Sequence, residues 1–213
     1  MRPVLCMITP AGAAADDGAL VERAAAAARA GVHLIQVRQP DRDARPLIAL
    51  VEQMVAVVRR TRTRVVVNDR LDVALAAGAD GVHLRGDSMP AARVRRVTPP
   101  GFLLGRSVHS AEEAAEVENA GGLDYLVFGT LFPTVSKPGA PLASIDGLGA
   151  ACVATRLPVL AVGGITAERA APVASAGAAG IAAIGLFAEP RLDELSSTVE
   201  RVRLAFDTPP SVP

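Results

Sequence analysis

Eight times along the chain a short apolar run of strand length gives way to a longer stretch of helical character, and this alternation limits the fold more than any other feature. The strand-like runs are Val4-Ile8, Leu34-Arg38, Arg64-Asn68, Gly81-Leu84, Leu103-Ser107, Tyr125-Gly129, Val159-Gly163 and Ile181-Gly185. Helices are expected near 19–30, 46–60, 71–77, 90–96, 111–120, 146–156, 167–176 and 192–206. Parallel strands need helical crossovers, and strands covered by helices on their outer face read as near-continuous runs of Val, Ile and Leu. Eight such units in 213 residues predict one α/β domain, a single (β/α)8 TIM barrel over residues 1–206, with the proline-rich 207–213 as a disordered tail. The competing architecture is an open doubly wound sheet. It is disfavoured because the first βα turn lacks the GxGxxG that marks a dinucleotide-binding switch point.

Charge and cysteine content narrow the partners. The 22 basic residues balance 22 acidic ones, so there is no broad basic footprint for nucleic acid, and any bound anion should be small and held locally. Cys6 and Cys152 lack CxxC spacing and read as reduced packing residues. No apolar stretch approaches the roughly 20 residues of a membrane span. The short apolar start is followed by Asp16 and Asp17, unlike a secretory signal, and a cytoplasmic location is expected.

In a barrel of this kind the chemistry gathers at the carboxyl ends of the strands. Polar residues collect there: Gln36-Val37-Arg38 ends the second strand, Asn68-Asp69 the third, and Gly105-Arg106-Ser107 the fifth, while Asp87-Ser88 follows the fourth. The two-residue period of a strand puts Gln36 and Arg38 on one side, aimed into the mouth. After the seventh strand Gly163-Gly164-Ile165-Thr166 is expected to open a helix, and Ile184-Gly185 closes the eighth. Glycine turns there let backbone N–H groups approach a phosphate.

One residue stands apart in composition. Lys137 is the single lysine among the 22 basic residues, and it follows Thr134 and Ser136 in the loop after the sixth strand. An ammonium with hydroxyls beside it suits a phosphate or a developing anion as a point charge. Of the three histidines, His33 and His83 read as structural, and His109, at the end of strand five, stays open between a structural and a functional role. Asp72 and Asp80 read as residues that cap or orient elements, and Tyr125 as a core residue.

Taken in order, several segments resemble the thiamine phosphate synthase/TenI superfamily from about residue 4 to 190. They are Gln36-Val37-Arg38, Asn68 through Ala74, Ala79 through Leu84, Gly105 through Ser110 with Glu112-Glu113-Ala114, Asp124 through Lys137, and Val162 through Ile165. The resemblance implies a TIM barrel, often dimeric, acting on a small phosphorylated thiazole. In the synthase branch a pyrimidine diphosphate is the second substrate; Gln36, Arg38, Asn68 and Lys137 would hold it, with Asp69 a Mg2+ ligand and Ser107 nearby. Thr134, Ser136, Gly163, Gly164, Ile184 and Gly185 would hold the thiazole phosphate. In the TenI branch, whose tautomerases move a proton on the thiazole ring, no cofactor is implied.

Three positions depart from the pattern. Pro40 replaces a lysine two residues after Arg38; the mixed run of Asp41, Arg42, Asp43 and Arg45 reads most simply as a solvated loop, with Arg42 the cation there that could make up for it. Ser88 falls where a second Mg2+ aspartate is expected, and Asp87 would serve only if the loop shifted by one residue. Thr130 falls where the TenI branch has a histidine, which moves the proton-carrying role to His109. Catalytic candidates are therefore Lys137, Arg38, Ser107 and His109, and metal candidates Asp69 and Asp87. The serine at position 88 and the segment Gly105 through Ala114 resemble the TenI branch most closely, so a TenI-type enzyme is the first expectation, a synthase the alternative, and a non-catalytic binder the third.

Overall fold

A computed structural model of the chain describes residues 3–12, 16–136, 138–139 and 141–207. Eight parallel strands close into a barrel in sequence order, with β1 paired to both β2 and β8. The strands are β1 (Val4–Ile8), β2 (Leu34–Val37), β3 (Arg64–Asn68), β4 (Gly81–Leu84), β5 (Leu103–Val108), β6 (Tyr125–Phe128), β7 (Val159–Val162) and β8 (Gly180–Ala183). The helices are α1 (Asp17–Ala30), α2 (Ala44–Val58), α3 (Leu71–Ala76), α4 (Ala91–Arg95), α5 (Ala111–Ala120), α6 (Ile145–Ala154), α7 (Ala170–Ser175), α8 (Gly185–Ala188) and α9 (Leu195–Asp207). The expected tail differs at its first residue, because Asp207 completes α9, and 208–213 lie outside the described residues.

Alternation along the strands divides the core in two. Leu5, Met7, Ile35, Val37, Val65, Val67, Leu104 and Leu126 face the helices and pack with Leu47, Leu50, Met54, Leu148 and Val199. Cys6, Ile8, Leu34, Val66, Tyr125, Val127, Leu160 and Ala182 fill the barrel interior. Burial from water of both layers is the main favourable term in holding the barrel closed. It also pushes the Cys6 thiol up to about 12, so this cysteine packs as a neutral group. Cys6 and Cys152 are both free thiols.

Carboxylates fasten the lower rim. Asp80, just before β4, accepts from Val65 N at 2.7 Å, and Asp124, just before β6, accepts from Leu104 N at 2.7 Å while pairing with Arg95. His33 belongs to the same end, its Nδ1 accepting from Leu5 N at 3.1 Å. Caps begin the helices: Asp16 accepts from Gly18 N and Ala19 N ahead of α1, Ser110 from Glu113 N ahead of α5, and Ser144 from Gly147 N ahead of α6. No helix of the described residues is long and apolar enough to cross a membrane.

Two connections differ from expectation. α7 begins only at Ala170, so Gly163-Gly164 enters an irregular turn and does not open a helix directly. Gly185 does not end β8, which stops at Ala183, but starts the four-residue α8. Tight approach explains the first case. A Cβ on Gly164 would lie 2.5 Å from Pro133 O, one on Gly163 would lie 2.4 Å from Thr130 Cγ2, and both residues have positive φ, 58° and 103°.

Candidate active site

The carboxyl ends of the strands open into one cavity of about 990 Å3. Gln36, Arg38, Asn68, Ser107 and His109 line one part of its wall; Thr134, Ser136, Gly163, Gly164, Ile184 and Gly185 line another. Strand parity brings the first group together, because Gln36, Asn68 and Ser107 continue the inward-facing rows that fill the barrel below. Gln36 is buried and Arg38 half-buried, its backbone N–H tied to Thr9 Oγ1 at 2.9 Å. Lys137 lies outside the described residues.

Ser107 rests on a buried pair. His83 Nε2 stands 2.9 Å from Ser107 Oγ, and His83 Nδ1 stands 3.3 Å from Tyr125 Oη. Burial, with the Arg106 charge adding to it, pushes His83 down to about 3, so the imidazole is neutral and bridges two hydroxyls. Gly105 makes room for this arrangement: a Cβ there would sit 2.1 Å from Tyr125 Cζ. His83 and Tyr125 are thus structural, as their sequence positions imply, yet they orient a cavity-lining serine.

His109 differs. Its side chain reaches the cavity wall, and Nδ1 lies 2.6 Å from Gly129 O, a carbonyl that can only accept, so Nδ1 carries a proton and donates it. Glu113, from the first turn of α5, accepts from His109 N at 2.8 Å. Thr130 is buried. Opposite, Thr134 and Ser136 share a hydroxyl contact of 3.1 Å. Arg169 holds the glycine turn: its Nη1 donates to Gly164 O at 2.6 Å, and its guanidinium lies 4.7 Å from the centre of the Phe132 ring.

Comparison with known proteins assigns this barrel. The family model for thiamine monophosphate synthase matches residues 5–187. The chain belongs to the thiamine monophosphate synthase family. It is 40% identical to a thiamine-phosphate synthase of Chlorobium luteolum over 183 residues, 85% of this chain and 84% of that protein. It is 43% identical to one of a Roseiflexus species over 172 residues, 80% of this chain and 72% of that protein. A solved thiamine phosphate pyrophosphorylase from Pyrococcus furiosus superposes with a TM-score of 0.78 at 30% identity, covering 96% of this chain and 95% of that one. A solved 3-hexulose-6-phosphate synthase, 19% identical with a TM-score of 0.73 over 96% of this chain and 99% of that one, shares the fold. The family places the chain among the enzymes of thiamine biosynthesis.

One of the three departures from the family pattern, Ser88, lies on the rim between β3 and β5. Asp69, with φ 61°, directs one carboxylate oxygen onto the Ser88 hydroxyl, and its other oxygen lies 3.7 Å from Arg85 Nη1. Asp87 turns onto Arg85 through two contacts, at 3.0 Å from Nε and 2.6 Å from Nη2, which hold its carboxyl below the usual range. Ser88, not Asp87, therefore stands against Asp69. Arg106 fixes that loop by donating to the carbonyls of Gly86, Ser88 and Met89. Among the described residues no three Asp, Glu, His or Cys side chains cluster to hold a metal ion. Mg2+ needs a near-octahedral oxygen shell, and a single carboxylate already engaged by a hydroxyl and a guanidinium fits it poorly. Arg42 gives no replacement for the missing lysine at Pro40: it pairs with Asp17 at 2.5 Å and lies outside the cavity lining.

Arg85 and Arg169 escaped the sequence reading. The available signal for Arg85 was its place immediately after a strand, the same as that of Arg38; Arg169 had none beyond its distance from the glycine turn.

Proposed function

We propose that the chain is a thiamine phosphate synthase that joins hydroxymethylpyrimidine diphosphate to hydroxyethylthiazole phosphate and releases pyrophosphate. The observation that carries this reading is a single cavity with two anion-suited walls. One is the turn of Gly163 and Gly164 with the Thr134 and Ser136 hydroxyls; the other is the rim of Gln36, Arg38, Asn68 and Ser107. The relatives at 40% and 43% identity, named thiamine-phosphate synthases, support the synthase reading over a TenI-type one.

In the reaction the bond between the pyrimidine methylene carbon and the diphosphate oxygen breaks, its electron pair leaves with pyrophosphate, and the thiazole nitrogen lone pair forms the new carbon–nitrogen bond. The protein's task is to hold both anions in line and to neutralise charge as it develops on the leaving group. Arg38 is suited to a fork contact with the diphosphate, and Lys137 to a point charge on the same group. Gln36 and Asn68 offer amide hydrogen bonds to the pyrimidine. Ser107, fixed from below by neutral His83, offers a hydroxyl in one orientation.

Two walls predict two simultaneous guests. Thiazole phosphate should bind with nearly the same affinity whether or not pyrophosphate is present, as measured by calorimetry. Strict competition would mean one anion site and would count against the synthase reading. A tautomerase remains the second reading on one observation, the imidazole of His109 at the cavity wall; it predicts exchange of a thiazole ring proton that His109→Gln abolishes.

A further inference from the structure

Arg85 is the first residue after β4 and lines the cavity. Its backbone N–H donates to Ser88 Oγ at 2.8 Å, and that same hydroxyl meets Asp69. Its guanidinium closes the other side, toward Asp69 at 3.7 Å and onto Asp87 at 2.6 Å. One arginine thus organises both carboxylates of the rim and the serine between them. We propose that Arg85 takes the place of a divalent cation at this rim, closing Asp69 and Asp87 to metal and offering its own charge to the diphosphate anion. The second half of this inference rests on the synthase reading; the first does not.

Three features favour the assignment. Arginine stays charged at every relevant pH and presents a planar fork that matches a phosphate as well as it matches a carboxylate. The pair with Asp87 is solvent-exposed, with side-chain exposures of 58% and 71%, and an exposed pair is held weakly enough to exchange Asp87 for a diphosphate oxygen. The loop backbone does not have to move for that exchange, because Arg106 ties it down at Gly86, Ser88 and Met89. A metal ion bound at Asp69 would meet like charge from Arg85 and a neutral hydroxyl at Ser88 where a carboxylate would serve better.

The test uses the whole chain. Mn2+ binding to the protein alone is followed by electron paramagnetic resonance for the unmodified chain and for Arg85→Gly. Pyrophosphate binding in excess chelator is followed by calorimetry for the unmodified chain and for Arg85→Gln. Freeing the carboxylates should tighten Mn2+ binding by at least about tenfold, and losing the guanidinium should weaken metal-free pyrophosphate binding by about tenfold or more. Arg85 is exposed, so neither variant threatens folding, and unchanged affinity for thiazole phosphate verifies the remainder of the site. Mn2+ affinity equal in the unmodified chain and Arg85→Gly overturns the inference, as does pyrophosphate affinity unchanged by Arg85→Gln. If neither metal nor chelator conditions yield thiamine phosphate, the synthase reading fails separately, while the Mn2+ comparison still decides whether Arg85 closes the rim.

Discussion

Lowering the pH from 7 to 5 should destabilise the barrel through one residue, His83. The imidazole titrates at the ordinary 6.5 when exposed and at about 3 in the folded protein. Between those values the unfolded chain binds a proton that the folded chain refuses. Stability from this group is therefore complete above pH 6.5 and declines as the pH falls toward 3, at up to about 1.4 kcal/mol per pH unit. From pH 7 to pH 5 the loss is about 2 kcal/mol, the free-energy difference set by those two pKa values. Urea denaturation at pH 7, 6 and 5 reads it directly. With a slope near 3 kcal/mol/M, the midpoint of the unmodified protein should fall by roughly 0.6 M more than that of His83→Gln over the same range. The variant is less stable at pH 7, since it disturbs the contacts to Ser107 and Tyr125, so the quantity that matters is the difference in pH slope. Equal slopes would refute the burial of a neutral imidazole at this position. The same experiment bears on function, because a protonated His83 could no longer accept from either of its hydroxyl partners, Ser107 and Tyr125.

Gly105→Ala should cost about 1–3 kcal/mol, seen as a lowered thermal midpoint, because its Cβ would sit 2.1 Å from the Tyr125 ring in a filled interior. Gly164→Ala should lose stability and thiazole-phosphate affinity together, since the added Cβ meets the Pro133 carbonyl at 2.5 Å and the residue has positive φ; a loss of affinity alone would mean the turn tolerates the substitution. Lys137→Ala should lower the turnover rate by about tenfold or more with thiazole-phosphate affinity nearly unchanged, the split expected of a group that acts on the leaving diphosphate. Arg106→Ala should speed amide exchange over residues 85–89, where it holds the carbonyls of Gly86, Ser88 and Met89, while exchange over β1 and β2 stays as it was.

Strand positions were legible because the apolar runs have the right length and period: Val4–Ile8, Arg64–Asn68 and Gly81–Leu84 match to the residue. Parity then pointed Gln36, Asn68 and Ser107 to one mouth. The helices near 167–176 and 192–206 were expected, but the turn between β7 and α7 and the short α8 were not legible. The first turn is shaped by close approach to residues 130–133, which leaves no periodic signal, and α8 is only four residues long. The pairing of His83 with Ser107 and Tyr125 depends on the relative register of three strands, β4, β5 and β6, which no single segment encodes. Arg85 was hidden for another reason: its partners Asp69 and Asp87 lie on different loops, and only the folded rim brings one guanidinium between them. The serine at position 88 weighed toward the TenI branch in the sequence, whereas in the folded rim it belongs to a charge arrangement around Arg85 that is compatible with diphosphate chemistry.

The synthase reading is tested by product formation from hydroxymethylpyrimidine diphosphate and hydroxyethylthiazole phosphate with the purified chain, thiamine phosphate and pyrophosphate being quantified together. That reading requires both products in equal amounts. No thiamine phosphate under any metal condition, with thiazole phosphate still bound and its ring proton exchanging, would contradict it.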